Sequence, residues 1–585
     1  MHLDITRVIM EATTIKNIEK WLEGSYDEDS KNEIRKLMKT DESALEDAFY
    51  RDLEFGTGGL RGIMGIGTNR MNKYTVAMAT QGLANYIKQE VKGKTSKAVI
   101  ACDSRNNSRY FSEIAADVLS ANGIYTYIFD DIRPTPELSF AIRHLQCDSG
   151  IVITASHNPK EYNGYKAYWS DGGQLVPPHD KNVIAEVRKI QNIENVNFTR
   201  NEKLVQYIGK EIDEAYISTL KTLSMNPKMI EKHNKLNIVY SPLHGTGAKI
   251  VPTALSAFGF KNVNLVEKQA VADGNFPTII SPNPEESEAL SMAIEQAKAT
   301  DAELVMATDP DSDRVGIAIK NNKGEFVLLN GNMTASLIFY YVCKMWLKNN
   351  KITGKEYIIS TIVTTNLLNE IAHKHKVKCY EVLTGFKYIA EKIRELEGKE
   401  TFICGGEESY GYLIGDYVRD KDAVIACCII AEIAAWAKEQ QKSLFDILTD
   451  IYLEFGCYKE RLFSLTKKGQ NGAKEIEQMM KNYRDNSPQS VQGVRVTNIK
   501  DYKLLEEKCL LTNTVSKIDL PTSDVLQFIL EDKTVISIRP SGTEPKIKFY
   551  FSVNTSLSSR NDFDKTTALL DKKIDGIMGE FCEIK

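Results

Sequence analysis

From Lys97 onward, short apolar runs alternate with amphipathic stretches, and the alternation repeats along the chain. The runs 97–102 (KAVIAC) and 125–129 (YTYIF) read as strands, and residues 112–121 and 137–144 as helices. The same succession returns where 236–240 runs into the turn SPLHGTG and a helix from Ala248. It returns again where 357–360 leads towards a helix over 366–373. Such strand–helix alternation predicts α/β domains. The three units share no strict short repeat, which leaves open whether they are distant duplicates or only a common architecture. The first fifty residues, rich in Glu, Lys and Asp, read as amphipathic helices packed on the first domain. At the other end, the charged stretch 466–498 reads as helix-poor. Residues 535–538 and 547–551 read as strands of a smaller, fourth domain of α+β type.

Length agrees with this division, since 585 residues exceed what one core can serve and domains average about 150 residues. The expected domains span 1–213, 214–325, 326–455 and 456–585, with clefts between them. A formal net charge of −5 offers no basic footprint for nucleic acid and points to small substrates. The greasiest stretch, 423–437, is interrupted by Glu432 and falls short of the roughly 20 residues of a membrane span. The start, MHLDITRVIMEATT, carries Asp4 and no sustained apolar core, so neither a signal peptide nor a transit sequence is expected. The ten cysteines form no C-x-x-C pair and read as buried thiols of a reducing compartment, with Cys427 and Cys428 filling core. A cytoplasmic protein is expected.

Four stretches carry chemistry. TASHNP, residues 154–159, follows the apolar run 150–153. Ser, Asn and Pro build turns, so the cluster is either punctuation or a strand end presenting Ser156 as a nucleophile; the stretch alone leaves both open. Next, DPDSDR joins two apolar runs, and its carboxylates Asp309, Asp311 and Asp313 can converge only around a cation. An EF-hand is excluded, because Arg314 and Lys320 stand where that loop requires Gly and Glu; three carboxylates with open positions suit Mg²⁺ held against a phosphate. Near the end, RPSGTEPK sets the fork of Arg539 beside two hydroxyls and Gly542, an anion-binding combination that lacks the P-loop spacing for a nucleoside triphosphate. Of two Gly-rich turns, GGEESYG offers Glu407 and Ser409 to sugar hydroxyls, whereas FGTGGLRG either sets Arg61 beside an anion or is merely flexible.

Kind, order and spacing of TASHNP, DPDSDR, GGEESYG and RPSGTEPK resemble the α-D-phosphohexomutase superfamily across most of the chain. EFGTGGLRG, TGFKYI and VRDKDAV are similar to the branch holding phosphoglucomutases and phosphopentomutases. The resemblance implies three α/β domains and a smaller C-terminal α+β domain around a central cleft, in a monomer. It implies that Ser156 carries a phosphoryl group, with Ser156, Asp309, Asp311 and Asp313 holding Mg²⁺. The reaction implied is interconversion of glucose 1-phosphate and glucose 6-phosphate through glucose 1,6-bisphosphate, which also serves as activator; mannose and pentose phosphates are the alternative substrates. By the same resemblance Arg61, His157 and Lys166 assist proton transfer and charge stabilisation, and Arg314, Thr384, Gly385, Glu407, Ser409 and Lys421 contact the sugar phosphate. Arg539, Ser541, Gly542 and Thr543 hold its non-reacting phosphate. DPDSD departs from the DGDGD of many relatives at Pro310, which leaves the carboxylates untouched. His244 is expected to be a buried structural histidine. A serine hydrolase is disfavoured, because Ser156 and His157 are neighbours without a G-x-S-x-G elbow. A metal-dependent phosphatase and a silent phosphosugar-binding protein are the remaining rivals.

Overall fold

The computed structural model describes residues 10–56, 59–467, 469–541 and 546–582. Three helices, Ala12–Glu23, Glu28–Thr40 and Glu42–Phe49, open the described chain; Asp27 and Asp41 cap the second and third by accepting from the Ser30 and Ala44 N–H groups. Their apolar stripes, with Trp21, Ile34 and Phe49 buried, close on Tyr74 and Ala77 of the helix Lys73–Glu90, so they do pack on the first domain.

Three sheets follow, and they share one strand order. In the first, Lys97–Cys102 lies between its parallel partners Tyr125–Phe129 and Ser149–Ile153, and Tyr162–Trp169 runs antiparallel beside the last. In the second, Ile238–Ser241 lies between Val263–Leu265 and Leu304–Thr308, and Val315–Lys320 runs antiparallel beside Leu304–Thr308. In the third, Glu356–Thr361 lies between Lys378–Val382 and Thr401–Gly406, with Tyr412–Ile414 antiparallel at the edge. Extra edge strands, Gly59–Ile63 and Val205–Ile208 in the first sheet and Phe326–Leu329 in the second, leave this order intact. TASHNP, DPDSDR and GGEESYG therefore occupy the same place three times: the turn from the third strand in sequence into its antiparallel neighbour. That turn lies at the carboxyl end of a parallel strand, where open α/β sheets bind ligands.

Helix Ala423–Glu439 is buried through Ala437 and packs on the helices Gly247–Phe258 and Gly331–Lys348, joining the second and third units. The one charge in that buried stretch, Glu432, accepts from the N–H groups of Met225 and Asn226, from Ser224 Oγ and from Tyr341 Oη, so the carboxylate is fully partnered. Cys427 and Cys428 are fully buried within the same helix. No helix among the described residues is long and apolar enough to cross a membrane.

The fourth unit is an antiparallel sheet, running through Cys457–Thr466, Lys546–Thr555, Val535–Pro540, Leu526–Leu530 and Val494–Asp501. Its helices correct one expectation. The stretch 466–498 is not helix-poor: it contains the 17-residue helix Gly469–Asp485. Ile476, Met480 and Tyr483, spaced at four and three residues, are buried and form its apolar stripe, which the surrounding Lys, Glu and Asn obscure in the sequence.

Candidate active site

Each of the three turns holds a non-glycine residue at positive φ: Ser156 at 52°, Ser312 at 51° and Tyr410 at 65°. Left-handed conformations are disfavoured for such residues and persist where the surroundings impose them. Here the turns interlock. Ser156 Oγ donates to Asp309 Oδ2 at 2.7 Å, Thr135 Oγ1 donates to Asp311 Oδ2 at 2.9 Å, and the Val315 N–H donates to the Tyr410 carbonyl at 3.1 Å. The segment 419–423 seals the junction, with the Arg419 N–H on Ser139 Oγ at 2.8 Å and the Ala423 N–H on the Ser312 carbonyl at 3.1 Å.

Asp309, Asp311 and Asp313 are buried, and one carboxylate oxygen from each lies within 4.8 Å of the others. Asp309 Oδ1 accepts from the N–H groups of Asp313 and Arg314, which shapes the loop. Pro310 costs nothing here, because neither donor is its own; it packs against Gly245, where an added Cβ would meet Pro310 Cα at 2.4 Å. Asp311 Oδ1 and Asp313 Oδ1 are buried without a hydrogen-bond partner among the described residues. Burial, then repulsion from Asp311 and Asp313, pushes the Asp309 carboxyl well up. Three carboxylates that converge beside a hydroxyl, two of them keeping an oxygen with no hydrogen bond among the described residues, are what a hard divalent cation with oxygen ligands requires, so the residues present fit Mg²⁺.

Two lysines cover the triad. Lys166, on Tyr162–Trp169, reaches Asp311 Oδ2 at 2.8 Å and Asp313 Oδ2 at 3.5 Å; Lys421 reaches Asp313 Oδ2 and Asp420 Oδ1, both at 3.1 Å. Burial opposes their charge, but these carboxylates outweigh it and raise both pKa values. Burial, reinforced by Arg314 and Arg61, drives His157 well below its ordinary value, so its ring is neutral at neutral pH. His157 Nδ1 lies 3.1 Å from Ser156 Oγ; since the hydroxyl proton goes to Asp309, this contact is read as Nδ1–H donating. Arg314 Nη1 is held by Glu285 Oε1 at 2.9 Å, and Arg61 Nη1 lies 3.4 Å from Asn158 Oδ1.

A cavity of about 1480 Å³ opens from this cluster, lined in part by His157, Arg314, Thr384, Gly385, Glu407, Ser409, Lys421 and Arg539. Glu407 Oε1 accepts from the Gly385 N–H at 2.8 Å, and burial raises its pKa against the pull of Lys421 and Arg314. Thr384 Oγ1 is buried without a hydrogen-bond partner among the described residues. Across the cavity Arg539 pairs in register with Lys548, Lys546 lies nearby, and the Ser541 N–H closes the turn on the Lys546 carbonyl at 2.7 Å. Gly542 and Thr543 lie outside the described residues. His244 is buried, with Nδ1 2.9 Å from the Val271 carbonyl and Nε2 2.8 Å from Thr278 Oγ1, a structural placement. Thr135, Glu285, Asp420 and Lys548 were not singled out from sequence. Only Asp420 had a visible signal, its place beside Lys421 in VRDKDAV.

Three strand-ordered α/β units and a fourth sheet, meeting on a serine, a carboxylate triad and a cation-lined far wall, define the architecture of a phosphohexomutase. Comparison with known proteins agrees. The chain matches the phosphoglucomutase/phosphomannomutase alpha/beta/alpha domains I, II and III over residues 52–194, 214–324 and 330–455. It is 38% identical over 509 residues to a phosphoglucomutase of Staphylococcus haemolyticus, covering 87% of this chain and 92% of that one. To a phosphoglucomutase of Staphylococcus aureus strain N315 it is 37% identical over 562 residues, covering 95% and 98%. Among solved structures it resembles Paramecium pp63/parafusin, a phosphoglucomutase in an open form, with TM-score 0.68 at 19% identity, covering 91% of this chain and 96% of that one. A phosphoglucomutase/phosphomannomutase family protein of Burkholderia thailandensis gives TM-score 0.63 at 19% identity, covering 90% and 97%. The chain belongs to the phosphoglucomutase/phosphomannomutase family of α-D-phosphohexomutases and is an isomerase of that family.

Proposed function

We propose that the protein interconverts glucose 1-phosphate and glucose 6-phosphate by way of a phosphoserine at Ser156 and a bound glucose 1,6-bisphosphate, with Mg²⁺ at Asp309, Asp311 and Asp313. The observation that carries this reading is Ser156 Oγ set 2.7 Å from one carboxylate of a buried triad whose other two members each keep an oxygen with no hydrogen bond among the described residues. When bound, Mg²⁺ supplies charge neutralisation to the transferring phosphoryl group. In the forward half, the bond from phosphorus to Ser156 Oγ breaks as one forms to a sugar hydroxyl oxygen, and the hydroxyl proton leaves. His157 is neutral, and with Nδ1–H donating to Oγ its Nε2 is the nitrogen in the state to accept a proton; Lys166 and Lys421, held charged, with Arg61 and Arg314, offset the developing anion. Glu407, Ser409, Thr384 and Gly385 hold sugar hydroxyls, and Arg539, Ser541, Gly542 and Thr543 hold the other phosphate while the bisphosphate turns and returns its second phosphoryl group to Ser156. The working unit is a monomer in the cytoplasm, its domains bounded at 213/214, 325/326 and 455/456.

Mass spectrometry of the purified protein should find one phosphoryl group on Ser156, discharged by substrate, and Ser156→Ala should abolish turnover. A panel of glucose, mannose and ribose 1-phosphates should rank glucose first. Wild-type turnover of Ser156→Ala would end the phosphoserine reading; a preference for ribose or mannose would keep it and change the substrate.

A further inference from the structure

Beneath the TASHNP turn lies a buried ion pair that the reaction as described does not use. Asp103 and Arg105 follow the strand Lys97–Cys102 and are only 1% and 3% exposed. The Arg105 guanidinium donates to four main-chain carbonyls, all within residues 156–162: Nη1 to Pro159 at 2.9 Å and Tyr162 at 3.0 Å, Nη2 to Ser156 at 2.6 Å and to Asn158. Its Nε lies 3.3 Å from Asp103 Oδ2. Asp103 accepts in turn from Thr154 Oγ1 and Ser108 Oγ, each at 2.7 Å, and from the Arg105 N–H at 3.0 Å. Thr154 Oγ1 accepts from the Ser156 N–H at 2.8 Å. Both main-chain polar groups of Ser156 therefore end on one buried network, the N–H through Thr154 on Asp103 and the carbonyl on Arg105.

Ser156 needs such a clamp because its φ of 52° is a conformation a serine does not hold by preference. Relaxation of the turn to an extended backbone would swing Cβ, and Oγ with it, away from Asp309 Oδ2. Only a guanidinium can serve as this clamp, because its planar fork donates in several directions at once, whereas an ammonium offers three donors from one point and cannot span carbonyls spread over seven residues. The clamp is also braced from the second domain. The Phe276 ring centroid lies 5.1 Å from the Arg105 guanidinium carbon, and Gly274 packs so closely that an added Cβ would lie 2.3 Å from the Asn106 nitrogen.

We propose that Arg105, braced by Asp103, is a positioning residue that locks Ser156 in its left-handed conformation and so fixes where the phosphoryl-carrying oxygen meets the carboxylate triad. The inference rests on the phosphoserine reading above. The test compares wild type, Arg105→Ala, Arg105→Lys and Thr154→Val, with glucose 1-phosphate, Mg²⁺ and a trace of glucose 1,6-bisphosphate, and with the intact mass recorded for each. Misplacing a reacting group by about an ångström costs on the order of 10²-fold, so kcat of Arg105→Ala should fall about 10²-fold with KM within about twofold. Arg105→Lys should fall comparably, Thr154→Val by about tenfold, and added guanidinium ion should restore Arg105→Ala severalfold without changing its thermal midpoint. Wild-type kcat in Arg105→Lys, a loss confined to KM, or no rescue by guanidinium would overturn the proposal. Should Arg105→Ala fail to fold, the kcat of Thr154→Val decides: wild-type turnover overturns the clamp, and a selective fall in kcat supports it. A wild-type protein that never carries phosphate on Ser156 would instead remove the phosphoserine reading itself, whatever the variants do.

Discussion

The two walls of the cleft are built on opposite plans. On the near wall Ser156, Asp309, Asp311, Asp313 and Lys166 are at most 9% exposed, and each is fixed by at least one partner from another strand unit. On the far wall Arg539, Ser541, Lys546 and Lys548 are half-buried on a sheet joined to the third unit by a small apolar cluster around Ile362, Val363, Tyr502 and Tyr550. Tight interlocking suits the end where bonds change, since preorganised charge acts without rearrangement during the reaction. A wetter array of cations suits an end that only anchors a phosphate. On the proposed reaction that anchor must take the phosphate of carbon 1 in one half and of carbon 6 in the other. Precision belongs to the reacting wall and tolerance to the anchoring wall.

The comparison breaks first if the near wall tolerates a lost charge. Asp311→Asn keeps the shape and an acceptor for Thr135 and Lys166 but removes one anionic oxygen from the triad. Activity at fixed Mg²⁺ should fall about 10³-fold or more with the fold retained, and the Mg²⁺ concentration for half-activation should rise. Circular dichroism and a Mg²⁺ titration of the rate read both. Full activity of this variant, or of wild type in excess chelator, would mean that the buried triad is not a metal site.

A smaller effect is expected across the cleft. Arg539→Ala removes one cation from an array that still holds Lys546 and Lys548. The kcat/KM for glucose 1-phosphate should fall about 10²-fold, on the order of 2–3 kcal/mol for a charge-assisted contact, with part of the loss in kcat because remote binding orients the reacting end. Arg539→Lys should recover part of it. Steady-state kinetics in both directions give the answer, and a loss equal to that of Asp311→Asn would erase the distinction between the walls.

The near wall was also the more legible of the two. TASHNP and DPDSDR are contiguous, and each follows a run of apolar residues that reads as a buried strand, so the turns were visible without the fold and their cargo once the motifs were taken together. The partners that fix those turns were not. Thr135, Asp103 and Arg105 act through contacts between segments far apart in the chain, and no local pattern marks a threonine as the residue that will face Asp311. The common strand order of the three sheets was hidden for a related reason: it is a relation of pairing, not of residues, and the units need share no repeat to show it. In the fourth unit, polar neighbours around Ile476, Met480 and Tyr483 masked a helix, because three apolar residues among many charges are a weak signal until the sheet that covers them is known.

The finest distinction between the walls lies where they meet, at Glu408. Its Oε2 accepts from Thr361 and Thr364 Oγ1, both at 3.3 Å. Burial first, then repulsion from Glu407, pushes its carboxyl from an ordinary 4.5 up to about 7, although Thr361 and Lys548 pull the other way. A carboxyl with a raised pKa in the folded protein binds its proton more tightly there than in the unfolded chain. Below pH 4.5 both states are protonated and the group is neutral in its effect. As pH rises from 4.5 to 7 the unfolded chain ionises first, so stability falls, and above 7 the whole cost of about 3 kcal/mol at most is present. Glu408→Gln keeps an acceptor for the threonine hydroxyls and removes the ionisation. Its thermal midpoint should match wild type near pH 4.5 and exceed it by a growing margin up to pH 8, as scanning calorimetry at several pH values would measure. A constant difference across that range would place Glu408 in the wet, adaptable array of the far wall, where Lys548 holds it ionised; a growing one places it with the buried carboxylates of the near wall.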